Sequence, residues 1–392
     1  MRNLVTAIIM SLVLQPALAQ YEVDSIVRQV ERNNKEIAAN QELTAAKAAL
    51  FKTGLTPTDP FVEYDYMFGS PAGAGNQRDF AITQRIDFPS VYRRKKQLSE
   101  IQIAQTDLQR QVFRQDILLE AKLLALRVIY LNRRQTELKR RLASTKKLAS
   151  DLRKKLEQGD IIILDMNKVK LQLLTIQNEV ALTENEKTVV LARLLEMNGN
   201  IPVRINDTIY PQVPIVPAFD KLDSIIEVSD PLIKVYEQEK KIQDQQINVQ
   251  KGLNLPKLET GYHSQGILGQ SYRGVHFGVA IPLWENKNRL NAAKAALNYA
   301  TSAADAHRLE HRQTNRQYYE QLAVREKAML EHKELLETLN NEYLLGKALS
   351  LGQITIVQYF YEQSFYYSAY DKYLQMEAEY HKALAQLFRY TL

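Results

Sequence analysis

Two short stretches, LEQGDIIILDMNKVKLQ (residues 156–172) and SLGQITIVQYF (residues 350–360), decide how this chain folds. Each has a glycine and a polar residue directly before an apolar run, and each interrupts a long helical pattern of charged and apolar residues. Glycine readily adopts the left-handed backbone conformation that ends many helices. We therefore expect a tight helix–turn–helix reversal at Gly159 and a second one at Gly352.

The two reversals belong to an internal repeat. Pro89 and Gly159 recur as Pro282 and Gly352, both 193 residues later, and Asn34 and Pro60 recur as Asp230 and Pro256, both 196 residues later. A difference of three residues between the two hairpin loops accounts for the change of offset. The chain is therefore expected to contain the same series of elements twice.

Hydrophobic periodicity predicts these elements. The first repeat covers residues 20–197, with a short helix (about 23–51), a β-hairpin at 61–88, a long helix at 90–158, the turn at 159 and a helix at 164–197. A proline-rich connector occupies residues 198–217. The second repeat covers residues 218–392, with a helix at 222–249, a hairpin at 257–284, a long helix at 287–345, the turn near 352 and a helix at 353–390.

The long helices have the spacing of coiled-coil helices. Apolar and small residues recur at alternating intervals of four and three near the end of the first one: Leu138, Leu142, Thr145, Ala149, Leu152 and Leu156. A helix of this length spans roughly 90–100 Å. We expect two shorter helices, stacked end to end, beside each long one.

The predicted strands alternate strictly between apolar and polar or small residues. In FVEYDYMF (residues 61–68), Val62, Tyr64 and Tyr66 share one face, and Val275, Phe277 and Val279 do so in the second hairpin. Strands of this length and pattern are typical of outer membrane β-barrels. Four strands cannot close a barrel, so we expect the chain to share a barrel with copies of itself, and a homotrimer would give twelve strands. The alternative is an antiparallel sheet with one face packed on a core.

The N-terminus resembles an export signal. MRNLVTAIIMSLVLQPALAQ has a basic residue, a short apolar run and an A-x-A site at residues 17–19, so we expect residues 1–19 to be a signal peptide and Gln20 to begin the mature chain. The alternative is a buried first helix. The absence of cysteine excludes disulfides and a lipidated N-terminal cysteine. A net charge of +6, from 51 basic and 45 acidic residues, does not favour nucleic acid binding.

The junctions between hairpin and long helix read DFPSVYRRKK (87–96) and AIPLWENKNR (280–289). Together with the two glycine turns and the features above, they resemble the corresponding parts of TolC-type outer membrane efflux proteins. The C-terminal stretch at 358–387 looks most like the heavy-metal (CzcC/CusC-like) branch. The resemblance implies a mainly α-helical trimer with a β-barrel and a periplasmic helical tunnel in the outer membrane. It also implies a periplasmic adaptor and an inner-membrane RND pump as partners.

The resemblance also implies which residues would dock on the adaptor and which would line the entrance of the tunnel. The turns would dock on the adaptor through six residues: Gly159, Asp160, Ile161, Gly352, Gln353 and Ile354. Family members carry two aspartates six and nine residues after the second turn glycine, where this chain has Gln358 and Tyr361. Asp165 and Glu362 are candidate substitutes for that entrance constriction, because a ring of carboxylates attracts cations. The alternative for both is a solvated helix surface.

No catalytic constellation or phosphate-binding loop can be recognised, so we expect neither an enzyme nor a cofactor. His307 and His311 have the i, i+4 spacing of metal ligands, but no third ligand is evident and a solvated helix face is the simpler interpretation. The expected function is passive conduction in tripartite efflux, of metal cations or small toxic compounds. A type I secretion duct and a periplasmic coiled-coil scaffold without a channel are the alternatives.

Overall fold

The structure is a computed structural model that describes residues 22–392, so the predicted signal peptide at residues 1–19 lies outside the described residues. Its helices are α1 (22–33), α2 (Lys35–Phe51), α3 (Pro89–Glu157), α4 (Ile163–Met197), α5 (Phe219–Ser229), α6 (Pro231–Leu253), α7 (Arg289–Thr338), α8 (Asn341–Ser350) and α9 (Ile356–Leu387). Its strands are β1 (Phe61–Met67), β2 (Gln77–Ile86), β3 (Lys257–Ile267) and β4 (Gln270–Ala280). The predicted fold class of long helices with four strands is confirmed.

Within residues 22–392, no helix combines the length and the hydropathy that crossing a bilayer requires.

Each short helix is broken once, where the sequence predicts a continuous helix. The breaks fall at Asn34 and Asp230, the equivalent positions of the repeat. The Asn34 Oδ1 accepts a hydrogen bond from the backbone N–H of Ile37 at 2.9 Å, and the Asp230 Oδ1 accepts one from Leu232 at 2.8 Å. A side chain that caps the next helix stops the preceding one, because it replaces intrahelical bonds. The periodicity continues across the break and so conceals it.

The second long helix is also broken, so the predicted continuous helix over residues 287–345 is wrong. Helix α7 ends at Thr338 and α8 begins at Asn341, with Asn340 between them at φ −110°. Two consecutive asparagines, Asn340 and Asn341, cause no clear break in the periodicity. Asparagine is a weak helix former, so the pair weakens the helix there, although the Asn340 side chain makes no capping hydrogen bond. The first long helix, α3, has no such pair and is continuous over 69 residues.

The four strands form one antiparallel sheet in the order β1-β2-β3-β4. The register places Val62 opposite Ile82, Ile82 opposite Tyr262, and Tyr262 opposite Val275. These residues share one face, and neighbouring positions such as Glu63 and His263 share the other. The predicted segregation of apolar and polar residues is therefore present across all four strands.

The chain divides into two compact units. One contains the described residues up to Ala38 together with Phe113–Ser229 and Arg312–Leu392, and its main core is formed by α1, α3, α4 and α9 around fully buried residues such as Val30, Ile129 and Leu194. The other contains Ala39–Val112 and Asp230–His311, which include the whole sheet. Its helices bury apolar residues such as Val91, Ile242 and Ala300.

The proline-rich connector is held on the helices of the first unit. The ring of Tyr210 stacks on that of His381 in α9, with ring centres 4.2 Å apart, and both residues are buried. The Asn132 side-chain amide in α3 donates to the carbonyl oxygens of Ile205 and Asp207 at 3.0 and 2.9 Å. These contacts order a segment whose prolines cannot continue a helix.

The burial of His381 against Tyr210 predicts that the free energy of unfolding depends on pH. Burial and the neighbouring Arg133 lower the pKa of His381 from 6.5 to about 4. The unfolded chain binds this proton below about pH 6.5 while the folded chain does not, so stability is lost as the pH falls from 6.5 towards 4. His381→Phe retains the stack but cannot titrate. We expect the loss of unfolding free energy over this interval to be smaller in the variant, by up to about 3 kcal/mol.

Urea denaturation of both proteins at several pH values measures this difference. The contribution of the carboxyl groups is the same in both proteins, so it cancels when the two are subtracted. An equal pH dependence in the two proteins would contradict the assignment of a buried, neutral His381.

Candidate functional site

The two predicted reversals have the same backbone geometry. Gly159 has φ +81° and Gly352 has φ +67°. At the first turn the N–H of Gly159 donates to Leu156 O at 3.1 Å and that of Asp160 donates to Lys155 O at 2.8 Å. At the second, Gly352 and Gln353 donate to Leu349 and Ala348 at 3.2 and 2.9 Å. Both turns are therefore Schellman motifs, in which a left-handed residue satisfies the last carbonyl groups of a helix.

The helices that follow the turns start differently. Helix α9 has a capping box, in which the Thr355 side chain accepts from the N–H of Gln358 at 3.2 Å and the Gln358 side chain accepts from the N–H of Thr355 at 2.9 Å. Helix α4 begins after Ile162, whose side chain cannot cap. The start of α9 is thus stabilised by two side-chain hydrogen bonds that α4 lacks.

A small apolar cluster brings the two turns to the same end of the first unit. Leu152 of α3, Met166 and Val169 of α4 and Ile356 of α9 are buried against one another. Ile161, directly after the first turn, packs against this cluster. The residues predicted from two distant parts of the sequence therefore form one surface, which we call the tip: residues 159–164 and 351–357.

The tip exposes apolar side chains to solvent. Ile162, Ile163 and Leu164 at the first turn, and Leu351 at the second, are each more than half exposed. Of the six predicted docking residues, Gly159, Asp160, Gly352 and Gln353 are exposed, whereas Ile161 and Ile354 are half-buried. A contiguous exposed apolar surface is typical of an interaction site.

The four residues predicted to form a constriction differ in their surroundings. Asp165 is ion-paired with Lys168 in its own helix, at 3.2 Å, and the Gln358 side chain is occupied by the cap of α9. Tyr361 is 61% exposed and its ring packs edge-on against Phe365, with centres 4.9 Å apart. Glu362 is exposed. Gln358, Tyr361 and Glu362 are therefore exposed on α9, whereas Asp165 on α4 is half-buried.

Above the tip, a buried ionic network connects α3 and α9, and sequence reasoning missed it. The guanidinium of Arg141, only 3% exposed, binds both oxygens of Asp371 at 2.7 and 3.0 Å and donates to Glu137 at 2.7 Å. It also covers the ring of Tyr367 at 4.1 Å. Burial opposes ionisation of Glu137, but hydrogen bonds from Arg140 and Arg141 hold the pKa of its carboxyl below the ordinary value.

Two further ion pairs extend the network. Arg140 binds Glu342 of α8, and Arg133 binds Glu377 of α9. The available signal was the spacing of Arg133, Glu137 and Arg141, four residues apart on one face of α3. That spacing is common on solvated helices, so it could not indicate burial.

Over the described part of the chain, no group of three histidine, cysteine or acidic side chains is placed to hold a metal ion. The His311 Nε2 lies 3.1 Å from the Asp230 carboxylate, and the ring of His307 stacks on Tyr236 with centres 4.2 Å apart. These two histidines therefore have structural contacts of their own.

The turn glycines can be tested by substitution. A Cβ at Gly159 or Gly352 meets no atom within 4 Å, so alanine there introduces only the cost of a positive φ. We expect Gly159→Ala and Gly352→Ala each to lower the unfolding free energy by about 1–2 kcal/mol in chemical denaturation.

Gly346 is the matched control, because it lies inside α8, also has open space at its Cβ, and has an ordinary helical backbone. Gly346→Ala should raise stability by about 0.5–1 kcal/mol. If all three substitutions had the same sign, the positive φ at the turns would not be the cause.

Comparison with known proteins shows the fold. No protein-family model matches the sequence, and no curated protein matches it. The structure is similar to that of a membrane protein from Pseudomonas aeruginosa, with a TM-score of 0.80 at 13% identity over 94% of this chain and 92% of that chain. For the Campylobacter jejuni CmeC outer membrane channel, the TM-score is 0.73 at 13% identity over 94% and 85%.

The structure is also similar to that of CusC, described in connection with folding and transmembrane channel formation, with a TM-score of 0.74 at 12% identity over 95% of this chain and 92% of that chain. CusC is no more similar than the P. aeruginosa protein, so the predicted heavy-metal branch is not distinguished from the rest. At these identities the comparisons establish a shared fold.

Proposed function

We propose that this chain forms the outer membrane channel of a tripartite efflux system, as a homotrimer that works with a periplasmic adaptor and an inner-membrane RND pump. The observation that carries the proposal is the match of nearly the whole chain, sheet and helices together, to the fold of outer membrane channels. We further propose export through the N-terminal signal peptide to the outer membrane, without lipidation.

The sheet supports assembly with further copies. Strands β1 and β4 are the two edges of the sheet, and edge strands present backbone groups that lipid cannot satisfy. The apolar face is also highly exposed, with Val275 at 75% and Phe277 at 79%. Since β1 and β4 run in opposite directions, β4 of one copy can pair with β1 of the next, and three copies make twelve antiparallel strands.

In this assembly the apolar face of the sheet contacts lipid and the polar face lines the lumen. The tip would then be the adaptor-docking surface, through its exposed apolar residues and the turn residues Gly159, Asp160, Gly352 and Gln353. Adaptor binding opens the channel at this end, and the pump supplies the energy.

Tyr361 and Glu362 are the proposed constriction, since both are exposed on α9 and neither belongs to the helix cap. Gln358 contributes less in this proposal, because its side chain is occupied by the helix cap. The conducted substrates are small toxic compounds or metal cations that the pump selects, so the channel needs no tight binding site of its own.

Single-channel conductance in a planar bilayer, with the oligomeric mass of the same preparation in detergent, tests the proposal. We expect a trimer with a small conductance that rises in Tyr361→Ala, because a bulky side chain is removed from each copy at the constriction. Thr355→Ala, which removes a cap without changing the size of a constriction side chain, is the control and should not raise the conductance in the same way.

A trimer that never conducts would contradict the proposed channel function. A soluble, non-conducting monomer or dimer would instead favour a coiled-coil scaffold. Passage of an unfolded polypeptide, rather than of small solutes alone, would favour the type I secretion duct.

A further inference from the structure

Two of the six histidines lie on the polar face of the sheet. His263 of β3 is opposite Gly274, and His276 of β4 is opposite Gly261, so each histidine has a glycine as its direct cross-strand neighbour. The two rings are diagonal neighbours with centres 5.4 Å apart and planes tilted by 64°. His263 is exposed and His276 is half-buried, and the space beside His263 is open where Gly274 lacks a side chain.

The same face carries more carboxylates than cations. The strands contribute Glu63 and Asp65 from β1, Asp79 and Arg85 from β2, and Lys257 and Glu259 from β3. Asp65 and Asp79 are directly opposite each other, an unfavourable pairing of like charges. With both histidines neutral, four carboxylates and two cations leave a net charge of minus two on this face.

Contacts within the face connect His276 to these charges. Glu259 accepts a hydrogen bond from the Arg85 Nε at 2.6 Å and lies 3.2 Å from the His276 Nε2. Lys257 binds both oxygens of Glu285, after β4, at 2.8 and 2.7 Å. The other charged groups near the sheet are Asp59 before β1, the Asp87–Lys95 pair after β2, and Arg78 and Arg273 on the opposite face.

Histidine is the side chain whose charge ordinarily changes between pH 5 and pH 8. Protonation of both histidines would bring the net charge of the face from minus two to zero, since carboxylate, lysine and arginine side chains in general do not change charge in that interval. In three copies around one pore, this change acts on every ion that passes.

We propose that His263 and His276 make the ion selectivity of the channel depend on pH: the pore prefers cations at neutral pH and loses that preference as the medium becomes acidic. The proposal rests on the proposed function, because it requires the polar face of the sheet to line a lumen. It assigns the selectivity of the pore to the barrel wall, separately from the constriction at the tip.

The test is the reversal potential of the purified full-length protein in a planar bilayer under a potassium chloride gradient, at about pH 7.5 and about pH 5.5. We expect the permeability ratio of potassium to chloride to exceed one at the higher pH and to fall towards one at the lower pH. The double variant His263→Gln/His276→Gln should keep its cation preference at both pH values. Glu259→Gln should lower the preference at both.

His332→Gln is the matched control, because His332 lies on α7, in the unit that does not contain the sheet, and its Nδ1 lies 2.9 Å from the carbonyl oxygen of Ala328 in its own helix. This variant should retain the pH response of the wild type. A conducting channel whose selectivity does not change with pH, or whose pH response survives in the double variant, would overturn the proposal while leaving the channel intact. A protein that forms no channel at all would instead overturn the proposed function.

Discussion

Each reversal of the chain depends on one residue in a conformation that amino acids with a side chain rarely adopt. Gly159 and Gly352 have positive φ, and this geometry lets the chain satisfy the last carbonyl groups of one helix while it reverses direction within a few residues. Both turns are short, and Leu152, Met166 and Ile356 are buried together in one cluster next to them. The exposed apolar surface of the tip is a direct consequence, since the residues after each turn lie beyond the buried cluster.

The sheet differs from the helix ends in its hydrogen bonding. The turns satisfy the last carbonyl groups of their helices, whereas the two edge strands present open backbone groups. Its edges β1 and β4 and its apolar face are open, and its polar face opposes Asp65 to Asp79. A sheet that folded against its own core would bury the apolar face and avoid the pairing of like charges. These features are consistent with a sheet whose stability and charge distribution are completed by other copies of the chain and by lipid.

The interface between α3 and α9 contains charged side chains at positions that apolar residues could also fill. Arg141 is almost fully buried and satisfied by Asp371 and Glu137, with Tyr367 against its guanidinium. A buried ion pair adds little net stability over an apolar contact, but removing one partner is costly, because the other charge stays buried. The network therefore fixes which residues of the two helices face each other between the tip and the main core.

The sequence predicts the two turns, the repeat and the alternation of the strands, because a glycine at a helix end and a period of two or 3.6 residues are local properties. The helix caps are local as well, since the side chains of Asn34, Asp230 and Thr355 each bond a backbone N–H two or three residues further along the chain. Periodicity missed them, because it records which residues are apolar and not which side chains bond the backbone. The burial of Arg141 is different. It depends on Asp371, 230 residues away in the sequence, and only the folded chain shows which distant residues come together.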